Sequence, residues 1–218
     1  MDILNITLKY NIRNTNMAIK TLKAKVNGFS PLLQNNPRSI NPMDPLGKID
    51  SAAAKTFRSN KTDENFIDQC RAGIAVRIFW DDDLGIYVPT RWVTAALAKK
   101  AYSLLGKGYS KDAVRSAIFT ITDKAKLTYD GMNNVKTEHD IIMNDKFQTL
   151  IFQKIGQVKV PKAMPIFHKW SFEFELEYDD SIFDFGQIKK VLEYTAKYGG
   201  YGDFRPTYGR ALIEVIDE

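Results

Sequence analysis

The sequence predicts an α+β fold built around an antiparallel sheet, and three observations carry the prediction. Two stretches alternate with a period of two: Leu22, Ala24 and Val26 against Lys23, Lys25 and Asn27, and Phe172, Phe174, Leu176 and Tyr178 against Glu173, Glu175 and Glu177. Two other stretches hold apolar residues at helical spacing: Val93, Ala96, Leu97, Ala101, Leu104 and Leu105, then Ile188, Val191, Leu192, Thr195 and Ala196. With the irregular stretches set aside, the order is strand 20–28, helix 90–105, strand at about 149–160, strand 169–178, helix 187–198 and strand 209–216. This βαββαβ order is the ferredoxin-like arrangement, one four-stranded antiparallel sheet with both helices on one face. A single domain over 1–218 is expected, with long insertions at about 31–89 and 106–148.

Each element has a local reason. Leu4, Ile6, Leu8, Tyr10 and Ile12 alternate with Asn5, Thr7, Lys9 and Asn11, which predicts a half-buried strand before the turn Arg13-Asn14-Thr15-Asn16. The strand 20–28 ends at Gly28-Phe29-Ser30-Pro31. Residues 31–61 are polar and punctuated by Pro31, Pro37, Pro42, Pro45 and Gly47, so they read as a long loop. Thr62 is an N-cap candidate for a short helix through Cys70. Ile74–Trp80 and Ile86–Val88 read as a hairpin about Asp81-Asp82-Asp83-Leu84-Gly85. The three aspartates at that tip are too few oxygens for a hard cation and read as turn residues. Thr90 is an N-cap candidate for the helix that Gly106 ends. Ser110 caps a short helix to about Phe119, Lys124–Tyr129 is a strand, and Asn133–Asp145 reads as loop. Thr149–Val160 is strand-like, and Pro161 and Pro165 bracket a turn.

Composition bounds the function classes. Of 218 residues, 44% are hydrophobic, which suits a packed core. A formal net charge of +5 favours a polyanionic partner without requiring one. The single Cys70 excludes an internal disulfide and fits a reducing compartment. With His139 and His168 it cannot build a Cys/His zinc site, and no cofactor motif is present. No apolar run is long enough to span a membrane and no signal peptide is seen, so a cytoplasmic protein is expected.

Two stretches carry the candidate chemistry. Gly199-Gly200-Tyr201-Gly202-Asp203-Phe204-Arg205-Pro206-Thr207-Tyr208-Gly209-Arg210 combines glycines, two arginines and aromatic rings, the parts that can hold a phosphodiester chain. Taken alone, such a loop reads as a helix cap and tight turn. Lys146 to Lys169 holds five lysines and no Asp or Glu over twenty-four residues. That is either a strand edge blunted by lysine or a polyanion surface.

The residues also reach a family. Gly28-Phe29-Ser30-Pro31-Leu32-Leu33, Val88-Pro89-Thr90-Arg91-Trp92-Val93-Thr94-Ala95-Ala96-Leu97, and Gly200 to Arg210 before the last strand resemble the RAMP superfamily, the RRM-like proteins of CRISPR effector and crRNA-processing systems. The chain from about Gly28 to Glu214 looks most like a family of phage-encoded RAMP-like proteins. They share the Gly-x-Ser-Pro-Leu-Leu start, a Pro-Ile-Phe-x-x-Trp motif (here Pro165 to Trp170) and a Gly-Asp-aromatic-Arg-Pro-x-aromatic-Gly-Arg ending. The resemblance implies RNA-guided or RNA-binding function, with the glycine-rich loop and the adjacent helix N-terminus near the nucleic acid. Some members cleave RNA with a histidine near the first helix, and this sequence has none before His139.

The expected function is therefore binding of single-stranded RNA or DNA without catalysis. The expected contacts are Arg91, Trp92, Lys154, Lys159, Lys162, His168, Lys169, Gly200, Gly202, Phe204, Arg205, Tyr208 and Arg210, with Lys99, Lys100, Lys107 and Lys111 extending the track. Phe204 and Tyr208 are stacking candidates, although each aromatic taken alone reads as core. Asp203 is expected to pair with Arg205 or Arg210. Two alternatives stay open: a scaffold that self-assembles or interferes with a host CRISPR subunit, and a metal-independent endoribonuclease relying on His168 or His139.

Overall fold

In the computed structural model, residues 19–217 are described; the strand expected over 1–12 lies outside them. In chain order the elements are β1 (Ile19–Gly28), β2 (Leu32–Leu33), α1 (Pro45–Ser59), α2 (Asp63–Arg77), β3 (Trp80–Asp81), β4 (Gly85–Pro89), α3 (Arg91–Leu105), α4 (Lys111–Ala117), β5 (Ile118–Thr120), β6 (Lys124–Lys126), α5 (Glu138–Ile142), β7 (Gln148–Ile155), β8 (Val158–Phe167), β9 (Ser171–Asp179), α6 (Phe185–Tyr194) and β10 (Ala211–Asp217). The protein is α+β. Its sheets have the orders β10-β1-β9-β5, β2-β8-β7 and β3-β4-β6, and every pairing in them is antiparallel.

The period-two alternation of β1 and β9 sets the register of the largest sheet. Leu22 lies opposite Leu176, Ala24 opposite Phe174 and Val26 opposite Phe172, and all six are buried. On the other face Lys23 lies opposite Glu175 and Lys25 opposite Glu173. A slip of one residue would expose the apolar row and juxtapose the wrong partners, so both faces specify the same register. The helical stripes meet the inner row: Val93, Leu97 and Ala101 of α3 and Ile188, Val191 and Leu192 of α6 join it in one core. The outer face keeps Glu173, Glu177, Leu212 and Glu214 exposed.

The structure corrects several sequence expectations. The edge place beside β9 belongs to β5, with Ile118 opposite Tyr178, and not to residues 149–160. Phe119, expected to end a helix, is already in that strand, because α4 stops at Ala117. Residues 149–160 instead span most of a hairpin, β7 with β8, whose ends Ile155 and Val158 pair across Gly156 and Gln157. Gly156 takes φ +61°, as a tight two-residue hairpin turn requires. Pro161 and Pro165 lie inside β8 opposite Phe152 and Gln148, and they bracket no turn. β2 pairs with two residues of β8, so most of that strand has one neighbour, and a strand with an open edge tolerates proline.

The stretch 31–61 is structured too. Asp44 accepts hydrogen bonds from the N–H groups of Leu46 and Gly47, and Pro45 takes the first turn of α1. α2 runs past Cys70 to Arg77. The Arg77 guanidinium donates to the Gly73 carbonyl at 2.6 Å and lies 3.3 Å from the Asp50 carboxylate, which ties α2 to α1. Residues 133–145 contain α5, closed by a capping box between Thr137 and Asp140. The Thr90 side chain makes no cap bond: its hydroxyl bonds the Thr122 carbonyl and lies 3.2 Å from the Thr120 hydroxyl, fixing the start of α3 against the β5–β6 connection. No described helix is long and apolar enough to cross a membrane.

Candidate nucleic-acid interface

The glycine-rich loop is bound first of all to its own chain. The Gly209 N–H donates to the Pro31 carbonyl at 2.7 Å, Tyr201 N–H to the Gly209 carbonyl at 2.8 Å, and Asp203 N–H to the Leu33 carbonyl at 3.0 Å. Phe29 and Ser30 N–H groups both donate to the Arg210 carbonyl, and the Arg210 N–H returns a bond to the Ser30 hydroxyl at 2.8 Å. The glycines permit this weave. Gly209 has φ +75°, and a Cβ there would lie 1.8 Å from the Tyr201 carbonyl oxygen; at Gly202 it would lie 2.3 Å from that of Leu33. The close backbone approach that these glycines allow is thus filled by residues 31–33 and 201 of the same protein.

The Pro165–Trp170 segment joins the same junction. Trp170 is buried, and its indole N–H donates to the Ser30 carbonyl at 2.7 Å. Its ring lies flat against Gly28, where a Cβ would be 2.1 Å from the indole Cε2. Two of the sequence motifs therefore meet the third at one place. His168 and Lys169 lie exposed in the turn between β8 and β9.

What the junction presents outward is a basic groove. Between the C-terminal half of α3, the π-turn Thr195–Gly199 that ends α6, and the glycine loop lies a cleft of about 460 Å³. Lys99, Lys100 and Arg205 line it with Tyr198 and Phe204. Tyr198 and Pro206 also line an adjoining hollow of about 410 Å³ with Lys197 and Arg210. None of these five cations has a carboxylate within 4 Å among the described residues. Three of them lie near ring faces: Arg210 is 5.1 Å from the Phe29 centroid, Lys197 5.4 Å from Tyr198 and Lys100 5.9 Å from Tyr194. The rings of Phe29 and Tyr198 are about half exposed. The N–H groups of Gly202, Arg205 and Thr207 have no hydrogen-bond partner among the described residues, so the loop also offers backbone donors.

Asp203 lines this cleft, and its partners differ from those expected. Its carboxylate accepts from the Asn35 amide at 2.8 Å and from the Phe204 N–H at 2.9 Å, and neither Arg205 nor Arg210 pairs with it. Phe204, with φ +51°, and Tyr208 are partly buried against Leu33, Met164 and Ile166. Their rings pack more than they present.

The other expected contacts lie apart from this groove. Arg91 is exposed at the start of α3, eight residues and roughly 12 Å of helix from Lys99. Trp92 packs edge-on to Phe79 at 5.5 Å. Lys154 and Lys159 lie opposite each other near the end of the β7–β8 hairpin. Lys162 is half-buried in a cleft between that hairpin and α2. Burial there, with Arg77 next, holds the Lys162 ammonium below the usual lysine range, against the opposing pull of Asp203 and Asp50. The reading of the sequence missed Phe29, Tyr194, Lys197 and Tyr198. The signal was present, since the inward set Ile188, Val191, Leu192, Thr195 and Ala196 leaves Tyr194 and Tyr198 on the outer face of α6 and its π-turn. No protein-family model matches the chain, and no curated protein does.

Proposed function

We propose that the protein is a non-catalytic binding module for single-stranded RNA or DNA, and that the groove between α3 and the glycine loop holds the strand. The observation that carries this reading is five cations, free of carboxylate partners, set among half-exposed aromatic rings and unpaired backbone N–H groups. Cations neutralise phosphates, and rings stack bases with little regard to sequence. The open face of the largest sheet is a poor alternative, because Glu173, Glu175, Glu177 and Glu214 outnumber Lys23 and Lys25 there. A ferredoxin-like core is the finer reading of the fold, with β1, α3, β5, β9, α6 and β10 as its βαββαβ series. The sheet order β10-β1-β9-β5 supports it. Kinship with phage-encoded RAMP-like proteins, and with it the host cytoplasm as the working compartment, is proposed from the resemblance of the three motifs, which meet at one junction. Fluorescence anisotropy with labelled single strands tests the function. Lys99→Glu with Lys100→Glu should weaken binding at least tenfold, and unchanged binding would refute the reading.

A second reading has its own observation. The acidic outer sheet face, with Leu212 and Ile216 about half exposed, complements the basic groove in charge. Head-to-tail contact between copies would join unlike surfaces, giving a ring or a filament according to the rotation between them. Light scattering without nucleic acid tests it: salt-sensitive oligomers are expected, and a monomer at all concentrations would exclude it.

A further inference from the structure

The basic groove is divided in two. Its hollows, of about 460 and 410 Å³, meet at Tyr198 and Pro206, which line both. Each has the size of a pocket for one small ligand. Their linings repeat one pattern. The first holds Lys99, Lys100 and Arg205, and the second holds Lys197 and Arg210. Each also includes a loop residue whose backbone N–H has no partner among the described residues: Arg205 in the first and Thr207 in the second. Cations beside a free backbone donor suit a phosphate.

Asp203 is the single carboxylate among the residues lining either hollow, and its own partners are Asn35 and the Phe204 N–H. Three cations therefore stand against one carboxylate in the first hollow, and two against none in the second. The wall between the hollows is an aromatic ring. Tyr198 is 55% exposed. Tyr194 packs beside it, with centroids 4.9 Å apart and ring planes tilted by 47°. That contact steadies the Tyr198 ring without covering it. A ring that stays half exposed between two cationic hollows is placed to stack on a base from either side.

We propose that the groove seats two consecutive nucleotides, one in each hollow, with the Tyr198 ring inserted between their bases. Each phosphate lies on the cations and the backbone N–H of its own hollow. This arrangement rests on the strand-binding function proposed above. It adds a register that charge alone does not impose, because two bases must be adjacent to meet the two sides of one ring.

The test is fluorescence anisotropy of the full chain with three labelled DNA strands of equal length. One carries two adjacent central adenines and abasic spacers elsewhere. The second carries the same two adenines parted by two spacers, and the third is abasic throughout. The adjacent pair should bind at least fivefold more tightly than the parted pair, since one stacked base is lost in the latter. Tyr198→Ala should weaken the adjacent pair at least tenfold, abolish its advantage and leave the abasic strand unchanged. Tyr198→Phe should behave as the parent protein, and neither variant should change the melting temperature. Lys99→Glu with Lys100→Glu should weaken all three strands. Equal binding of adjacent and parted bases, an advantage that persists in Tyr198→Ala, or an equal loss of the abasic strand in that variant would overturn the two-seat arrangement and leave strand binding standing. Binding of no strand, or binding that the Lys99/Lys100 variant does not weaken, would overturn both.

Discussion

Gly28 and Gly209 decide whether the junction can close at all. At Gly209 the left-handed backbone costs a non-glycine residue about 1–2 kcal/mol before any overlap is counted. The added Cβ would also meet the Tyr201 carbonyl. Gly209→Ala should therefore destabilise the protein by at least ~2 kcal/mol, read as a lower midpoint in urea. Trp170→Phe keeps most of the ring but leaves the buried Ser30 carbonyl without its donor. It should cost about 1–3 kcal/mol in the same measurement. At this scale the sequence was half legible. The glycines announced a close approach, but nothing local could say that the approaching group was residues 31–33, some 170 positions away. Asp203 misled for the same reason: its partner Asn35 is 168 residues distant in sequence, while two arginines stand within seven.

Elements were legible where one face was wet and one dry. β9 buries Phe172, Phe174, Leu176 and Tyr178 and leaves the residues between them exposed or half-buried, as its alternation predicts, and α3 and α6 bury the stripes their spacing defined. α1 was hidden because prolines dominated the reading of 31–61, although Asp44-Pro45 is a start signal for a helix. The β7–β8 hairpin was hidden because a Gly-Gln turn is weaker punctuation than two prolines. The β3–β4 turn permits a prediction with a sign. The Lys124 ammonium bonds Asp81, with the N–H groups of Leu84 and Asp83 adding to it, and together they hold the carboxyl below its ordinary 3.8. A depressed carboxylate contributes stability above that ordinary value and loses it as pH falls through the lowered one. Amide exchange at Asp83 and Leu84 should thus hold steady from neutral pH to about pH 4 after correction for its intrinsic pH dependence, and accelerate below it. Asp81→Asn should show the faster exchange at every pH.

Across the whole molecule, charge is sorted by surface. The groove is cationic, the open sheet face is acidic, and the net charge of +5 reports neither. Composition pointed towards a polyanion without saying which surface would meet it. Two consequences are measurable. Reversing Lys99 and Lys100 should lower the slope of log affinity against log salt by roughly 1.4, at about 0.7 per phosphate contact on a single strand. Neutralising Glu173, Glu177 and Glu214 to glutamine should change strand affinity by less than about twofold, because charges beyond a Debye length are largely screened. The lysine-rich stretch 146–169 was the most conspicuous feature of the sequence, yet the fold spreads it over a hairpin tip, a separate cleft and a turn. The junction itself has a bearing on biosynthesis. Its closing bond, from Arg210 to Ser30, spans 180 residues. A nascent chain whose last strand is still inside the ribosome therefore lacks the groove, however well its earlier helices have formed. Under the proposed strand-binding function, capture of a strand would have to wait until β10 has emerged and the junction has closed.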